Sequence, residues 1–512
     1  MPPGAVVPMR APMVDGRGRA SGAAPSPDLA GASSFDRQYA SRTLVLLATL
    51  AALIVYIDVM LLPALPTIAA EYHVSIAQTS LLISLYTVFG VAVMPIIGKL
   101  GDIYGKRRVL LYTLGIYLAV ATTTSFAPTF ELVLISRFFQ GVGLGVFPLA
   151  FSIAREEFPR PLVPRAQGLL SAVQVAGGAA GILGGAIVTS DFGWQANYHL
   201  ALPGILGLSL LTFFLVRESP NLKPGVHLDY VGATCLGASL TAVVLGLSEG
   251  ASWGWTSLAI VGLIGGGFLG LIPLSVYESR QREPVFNLRL LRQRNILLAN
   301  LITLVYGAAG YLAFQAITYY VQLPPPSGFG LSLFQTGLTL IPLVVVLLPV
   351  ALVVGTVIPR YGVKPFLLFG ALFGIAGFLL LSVSSSPAEV GGFLTVYAVG
   401  AGLISVSRQN LLVLSLNKTE MGLGTSLNTS FFYIGQSLGA PLAGAILTTF
   451  VFTQSASGHS VTLPTSAAFH YCFYAAAFVY ILVGLLTVLA REVIGRHAGP
   501  ASSSLPLPKR GE

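Results

Sequence analysis

Apolar residues run along this chain in blocks of about 18–25, the length a helix needs to cross a bilayer, divided by short polar breaks. The blocks predict an all-α membrane protein of fourteen spans, near residues 43–66, 78–99, 108–126, 132–154, 167–189, 198–216, 229–247, 257–277, 296–321, 334–357, 364–384, 391–414, 424–451 and 469–490. Residues 1–42 are rich in Pro, Gly, Ala and Ser and show no sustained apolar period, which predicts a disordered tail. Residues 491–512 predict a second polar tail. The start of the chain is not read as a secretory signal, because no charged leader runs into a short apolar core.

The basic residues fall on alternate loops. One set comprises Arg10, Arg17, Arg19, Arg37 and Arg42, then Lys106, Arg107 and Arg108, then Arg155, Arg160 and Arg165. It continues with Arg217 and Lys223, Arg280 to Arg294, Arg360 and Lys364, Lys418, and the C-terminal Arg491, Arg496, Lys509 and Arg510. The loops 127–131, 190–197, 248–256, 322–333, 385–390 and 452–468 hold no Lys or Arg. The positive-inside rule then predicts both termini in the cytoplasm, with the chain in the plasma membrane. This distribution explains the +9 net charge as topology, so no nucleic-acid partner is expected.

Composition agrees with a lipid environment. Charged residues are 9% of the 512 and hydrophobic ones 54%, with mean hydropathy +0.80, against about 25% charged in soluble domains. Fifty-seven glycines suit close helix packing in a bilayer. Cys235 and Cys472 sit inside apolar blocks, and the six histidines have no ligand spacing, so neither a disulfide framework nor a metal site is expected. No nucleophile–base constellation or GxxxxGK[ST] loop stands out either, which disfavours an enzyme or an ATP-driven pump, and no cofactor is expected.

The chain repeats itself. GTVIPRYGVKPFL (355–367) aligns with GKLGDIYGKRRVL (98–110) at an offset of 257. Gly177 and Gly181 align with Gly435 and Gly439 at an offset of 258. Two echoes predict two six-helix halves, 43–216 and 296–490, with an extra helix pair within 217–295.

The 98–110 stretch resembles the loop between spans two and three of the major facilitator superfamily, G-x-L-A-D-R-x-G-R-K-x-x-L, through Gly98, Leu100, Asp102, Gly105, Lys106, Arg107 and Leu110. Gly101 and Ile103 depart from it. Six plus two plus six spans, with Asp229-Tyr230-Val231-Gly232 opening the extra pair, resembles that superfamily's fourteen-span drug:proton antiporters. Span five resembles their signature G-x-x-x-G-P-x-x-G-G, with Gly184 and Gly185 at its end, and Gly177 and Gly181 at related positions. Gly181 stands where that signature has proline.

Four groups of residues could carry chemistry. Asp58, two-thirds of the way through span one, is costly in lipid unless it faces a cavity, and removal from water disfavours the charged form of a carboxyl, as a proton carrier requires. A structural Asp bonded to a neighbouring helix is the alternative. The family's exporters carry an Asp here, ahead of an A-L-P present as Ala64-Leu65-Pro66. Arg137, with Gln140 and Gly141, resembles the span-four motif R-x-x-x-G, whose arginine is held to tune a nearby acid; an arginine snorkelling to the interface is the alternative. Arg408 reads equally as a functional or an ordinary positive-inside residue.

Gly98, Asp102, Gly105, Lys106, Arg107 and Arg108 form an expected gate, in which the acid pairs with bases and with a helix N-terminus of the other half in one state. A solvated topogenic cluster is the plainer reading. The span-five glycines Gly177, Gly181, Gly184 and Gly185 allow tight packing, with span eight or its structural equivalent as expected partner; generic small-residue packing is the alternative. Polar groups inside apolar spans, Tyr86, Gln140, Gln174, Tyr306, Tyr311, Gln315, Asn428 and Gln436, are expected to meet substrate, with Asn300 and Tyr433 beside them. Tyr319 and Tyr320 are expected in an interfacial belt.

Together these imply a monomeric alternating-access transporter exporting an amphipathic or cationic organic compound in exchange for protons. A metabolite symporter or facilitator, and a non-transporting receptor or scaffold, are the alternatives.

Overall fold

The computed structural model describes residues 36–159, 162–220, 222, 228–281, 288–417, 420–456 and 459–493. The expected tails beyond these, with Arg10, Arg17, Arg19, Arg496, Lys509 and Arg510, and the loop cations Arg160, Lys223, Arg282 and Lys418, lie outside the described residues.

The elements follow in the order α1 (Arg37–Val59), α2 (Leu65–Glu71), α3 (Ile76–Tyr104), α4 (Lys106–Ser125), α5 (Phe130–Gln140), a 3-10 turn (Gly141–Gly145), α6 (Val146–Glu157), α7 (Val163–Phe192) and α8 (Trp194–Leu215). Next come α9 (Tyr230–Trp253), α10 (Leu258–Arg280), α11 (Leu288–Leu291), α12 (Arg294–Gln322), α13 (Leu333–Tyr361), α14 (Lys364–Leu381), α15 (Pro387–Ser415) and α16 (Met421–Thr449). A hairpin of β1 (Val451–Ala456) and β2 (His459–Pro464) leads into α17 (Ser466–Leu489).

Among the described residues thirteen helices are long and apolar enough to cross a membrane, with α5 and α6 counted as one. The predicted third span is α4, whose 20 residues reach about 30 Å but begin with Lys106-Arg107-Arg108 and end in Thr122-Thr123-Thr124-Ser125. The fourteen predicted spans therefore fall on helical segments, with the first and fourth each divided into two helices.

Three details differ from the sequence expectation. Helix α1 starts at Arg37, inside the expected tail, because Asp36 caps it by accepting from the Tyr39 N–H at 3.0 Å. Span one is not continuous to residue 66: α1 ends at Val59, the chain tightens through i→i+3 bonds at Leu62 and Ala64, and α2 restarts with Pro66 in its first turn. Pro63 and Pro66, lacking N–H groups, break the ladder there. Finally, the 452–468 loop contains the antiparallel hairpin, in register Val451↔Pro464.

Helices α1–α8 form one half and α12–α17 the other; α9 packs between α3 and α16, and α10 lies on α9. The glycine echo marks the same joint in both halves. A Cβ at Gly177, Gly181 or Gly185 of α7 would strike the α1 backbone at Ala52, Tyr56 or Met60. One at Gly435 or Gly439 of α16 would strike α12 at Leu304 or Ala308. Each fifth span thus lies backbone-close on the first span of its own half.

Candidate functional site

The cleavage of span one into α1 and α2 decides where Asp58 stands. It occupies the last turn of α1, where the helix's final carbonyls have no partner within the helix. Arg137 of α5 supplies one. Its Nη1 donates to the Ile57 carbonyl at 3.4 Å and its Nη2 to the Asp58 carbonyl at 3.2 Å, while Nη2 also stands 4.0 Å from the Asp58 carboxylate.

The rest of the guanidinium is satisfied too. Nε donates to the Leu82 carbonyl at 3.3 Å, and Nη1 donates to Gln140 Oε1 at 2.8 Å and lies 3.5 Å from Tyr198 Oη. The Tyr86 ring lies 4.6 Å beneath its Cζ. Arg137 is 0% exposed and Asp58 8%. The snorkelling alternative for Arg137 is therefore corrected: the side chain turns inward, where an acid, carbonyls and a π-face replace water.

The fourth span changes from α to 3-10 geometry beside this cluster. Gly141, Gly143 and Gly145 form the 3-10 turn, and a Cβ at Gly141 would run into the Tyr86 carbonyl and Gly90 nitrogen of α3. The R-x-x-x-G spacing thus holds the arginine one turn from the place where the two backbones meet.

A second polar cluster lies in the other half, further along its fourth span: at the repeat's offset of 257 Arg137 aligns with Leu394, 14 residues before Arg408. Arg408 of α15 donates from Nη1 to Thr303 Oγ1 at 3.1 Å and to Asn428 Oδ1 at 3.2 Å. Asn428 Nδ2 donates to Thr303 Oγ1 at 2.8 Å and Asn300 Oδ1 at 3.1 Å. Tyr306 and Phe432 place their rings 5.1 Å and 5.4 Å from the guanidinium carbon. The two halves approach one another through α3, α12 and α16, where Tyr311 and Tyr433 come within electrostatic range of Asp58.

The remaining sequence candidates divide. Tyr86 Oη, Gln140 Nε2 and both polar atoms of Gln436 are buried with no partner among the described residues, as expected of groups awaiting a ligand or water. Tyr306, Tyr311 and Gln174 are half-buried. Gln315 instead donates to the Ile76 carbonyl at 3.3 Å, a bond between halves. Tyr319 and Tyr320 are not in an interfacial belt. Both are buried, because Tyr319 Oη meets Thr79 Oγ1 of the other half at 2.7 Å and Tyr320 Oη donates to the Ser384 carbonyl at 3.0 Å.

Gln315, Tyr319 and Gln322, which donates to the Pro63 carbonyl at 2.8 Å, join the halves at the end opposite the 98–110 loop. There too Ala186 of α7 meets Gly337 of α13. Span five thus meets the structural equivalent of span eight in a twelve-span chain, through Ala186 and Leu183 among others. Its glycines face α1 instead, since their carbonyl-close approach needs a partner on the same side of the half.

In the 98–110 loop, Lys106 is 3% exposed and reaches Asp102 at 3.4 Å and Glu156 at 2.5 Å. Glu218, just after α8, accepts from the Arg107 and Arg108 N–H groups at 3.1 Å each, capping α4. Gly105 has φ +104°, and any Cβ there would overlap the Glu218 carboxylate. Arg107 donates to the Phe213 carbonyl, Gly98 lies over Pro148, and Gly101 over Leu149.

The other half repeats the device. Glu492 accepts from the Val363 N–H at 2.8 Å and the Lys364 N–H at 3.3 Å beside Gly362, whose φ is +83°. These two carboxylates went unread in the sequence. The signal was the pair Arg217-Glu218 and Arg491-Glu492, each just after the last span of its half.

The Major Facilitator Superfamily profile matches residues 47–440 and 350–510. The chain is 24% identical over 393 residues to a multidrug transporter protein of Bacillus subtilis, covering 75% of this chain and 71% of that one. It is 28% identical over 461 residues to the cephamycin export protein of Amycolatopsis lactamdurans, covering 88% and 91%. Among solved structures it is similar in fold to a bacterial homologue of the human lysosomal transporter Spinster, in its inward-facing and unoccupied form, with a TM-score of 0.66, 14% identity and coverage of 88% and 97%. The profile, the doubled six-helix halves and the relatives agree, and the chain belongs to the Major Facilitator Superfamily, as a multi-pass membrane transporter rather than an enzyme.

Proposed function

We propose that the protein exports an amphipathic organic compound, drug-like in character, in exchange for protons. The observation that carries this reading is Asp58, a carboxyl buried at the broken end of span one, beside Arg137 and within range of both halves. In this scheme Asp58 carries the proton. Arg137 holds the α1 terminus and the carboxylate together, so that loading a proton weakens one link of a buried network rather than exposing a charge.

The positive-inside distribution supports a plasma-membrane protein with cytoplasmic termini, and places the inter-half bonds of Gln315, Tyr319 and Gln322 at the outer end. The arrangement then corresponds to a state closed outside, in which Asp58 exchanges with the cytoplasm. The welded 98–108 loop moves with its half as a rigid cytoplasmic gate element. A single chain suffices for this cycle. The multidrug and export functions of the two named relatives support the substrate class.

The test is flux of a fluorescent lipophilic cation, a rhodamine ethyl ester, in proteoliposomes under an imposed pH gradient. Wild type should follow the gradient and Asp58→Asn should lose that dependence at least tenfold. Gradient-independent flux in wild type, or an unimpaired Asp58→Asn, overturns the coupling.

A further inference from the structure

The second arginine is built to receive something. A guanidinium carries five N–H donors. Arg408 uses only Nη1, on Thr303 and Asn428, while its Nε is buried without a partner. Among the described residues no carboxylate stands within 4.0 Å of it, whereas Arg137 has Asp58.

The neighbours that do touch Arg408 are held in place by others. Thr303 donates its hydroxyl proton to the Ala299 carbonyl at 2.7 Å, so its oxygen can only accept from the arginine. Asn428 spends its amide protons on Thr303 and Asn300, which turns its oxygen to the arginine. The guanidinium is thereby gripped on one nitrogen, and its Nε–Nη2 edge is left free. That edge is the fork on which a carboxylate is bound by two parallel N–H bonds. Tyr306 and Phe432, 6.3 Å apart between ring centres, wall the place with apolar surface.

The geometry points to an anion subsite here. Resting on the reading that the protein exports an amphipathic compound, the Nε–Nη2 edge of Arg408 binds a carboxylate or comparable anionic group of that compound, with Tyr306 and Phe432 against its apolar body. The transported class is then amphipathic acids and zwitterions in preference to simple lipophilic cations. Arg408 is half-buried, and the ligand's acid supplies the counter-charge that Asp58 gives to Arg137 and that no carboxylate among the described residues gives to Arg408.

The test uses binding, so that it stands apart from proton coupling. A rhodamine bearing a free carboxyl and its ethyl ester share one ring system and differ in the anionic group. Each is titrated by fluorescence anisotropy into the full-length protein in detergent at pH 7.5. Wild type should bind the acid at least tenfold more tightly than the ester.

Arg408→Gln should lose about ten- to a hundredfold for the acid, the worth of a charge-assisted hydrogen-bonded pair, and less than about twofold for the ester. Arg408→Lys should recover only part of the loss, since an ammonium keeps the charge but not the fork. The ester also reports whether each variant is folded. Equal loss of both dyes, an unchanged affinity for the acid, or a wild type that binds neither dye or does not favour the acid overturns the proposal. Loss of pH-gradient dependence in Asp58→Asn leaves it untouched, and a failure of proton antiport does not explain acid selectivity.

Discussion

The fourth span of each half carries an arginine, and the two are satisfied in opposite ways. Arg137 is fully buried, closes the end of α1 and has Asp58 as its acid. Arg408 is half-buried, is held by neutral groups on one nitrogen, and keeps a fork of donors unused. The halves share an ancestral layout, visible in the glycine joints α1–α7 and α12–α16 and in the Glu218 and Glu492 caps. What differs is the acid and the depth, since Arg137 aligns with Leu394 of the repeat and Arg408 stands 14 residues further along the span. A duplicated frame can thus hold a self-contained charge pair on one side and a cation without an acid on the other.

The largest expected effect comes from orphaning the closed pair. Arg137→Met leaves Asp58 buried beside bare α1 carbonyls and should cost about 3–5 kcal/mol, read as a lower melting temperature of the detergent-solubilised protein. Adding Asp58→Asn should restore part of it. Arg408→Met orphans no acid, so its melting shift should be much smaller. Equal shifts for the two arginines would dissolve the contrast between the halves.

The glycine joints should respond alike. Gly181→Val and Gly439→Val each force a branched side chain into a neighbouring backbone and should destabilise by about 1–3 kcal/mol or more. Gly184→Ala, which meets only the Tyr56 ring at 3.3 Å, should be milder. All three can be ranked by thermal melting in one detergent.

Loss of a cap is smaller. Glu218→Ala and Glu492→Ala each remove the acceptor for two helix-terminal N–H groups, about 0.5–2 kcal/mol apiece, and similar values in both halves would show the caps to be true counterparts. Smallest is Tyr319→Phe, which deletes one inter-half bond, about 1 kcal/mol. It should raise labelling of a cysteine placed at the half-buried Ile76 by an impermeant reagent, against the same cysteine with Tyr319 intact, as the seam between the halves loosens.

Much of the frame was legible because lipid imposes rules that act along the chain. Span length, the alternation of basic loops and the repeated glycines each follow from one helix meeting a bilayer or one backbone meeting another. Breaks inside spans were harder. Pro63 and Pro66 end α1 just after Asp58, yet hydropathy runs through them unaltered, and the 3-10 turn at Gly141–Gly145 reads as ordinary apolar sequence. Tyr319 and Tyr320 look interfacial by position but turn inward because each hydroxyl finds an acceptor.

Sequence therefore marked the apolar spans, their approximate number and the presence of costly charges within them. Tertiary structure decided which charge meets which. Asp58 and Arg137 are 79 residues apart and Arg408 stands 20 from Asn428, and no periodicity links such positions. Burial demands that a charge be compensated but does not name the partner; only the crossing of helices in space does that, and at Arg408 it leaves the place of the acid open.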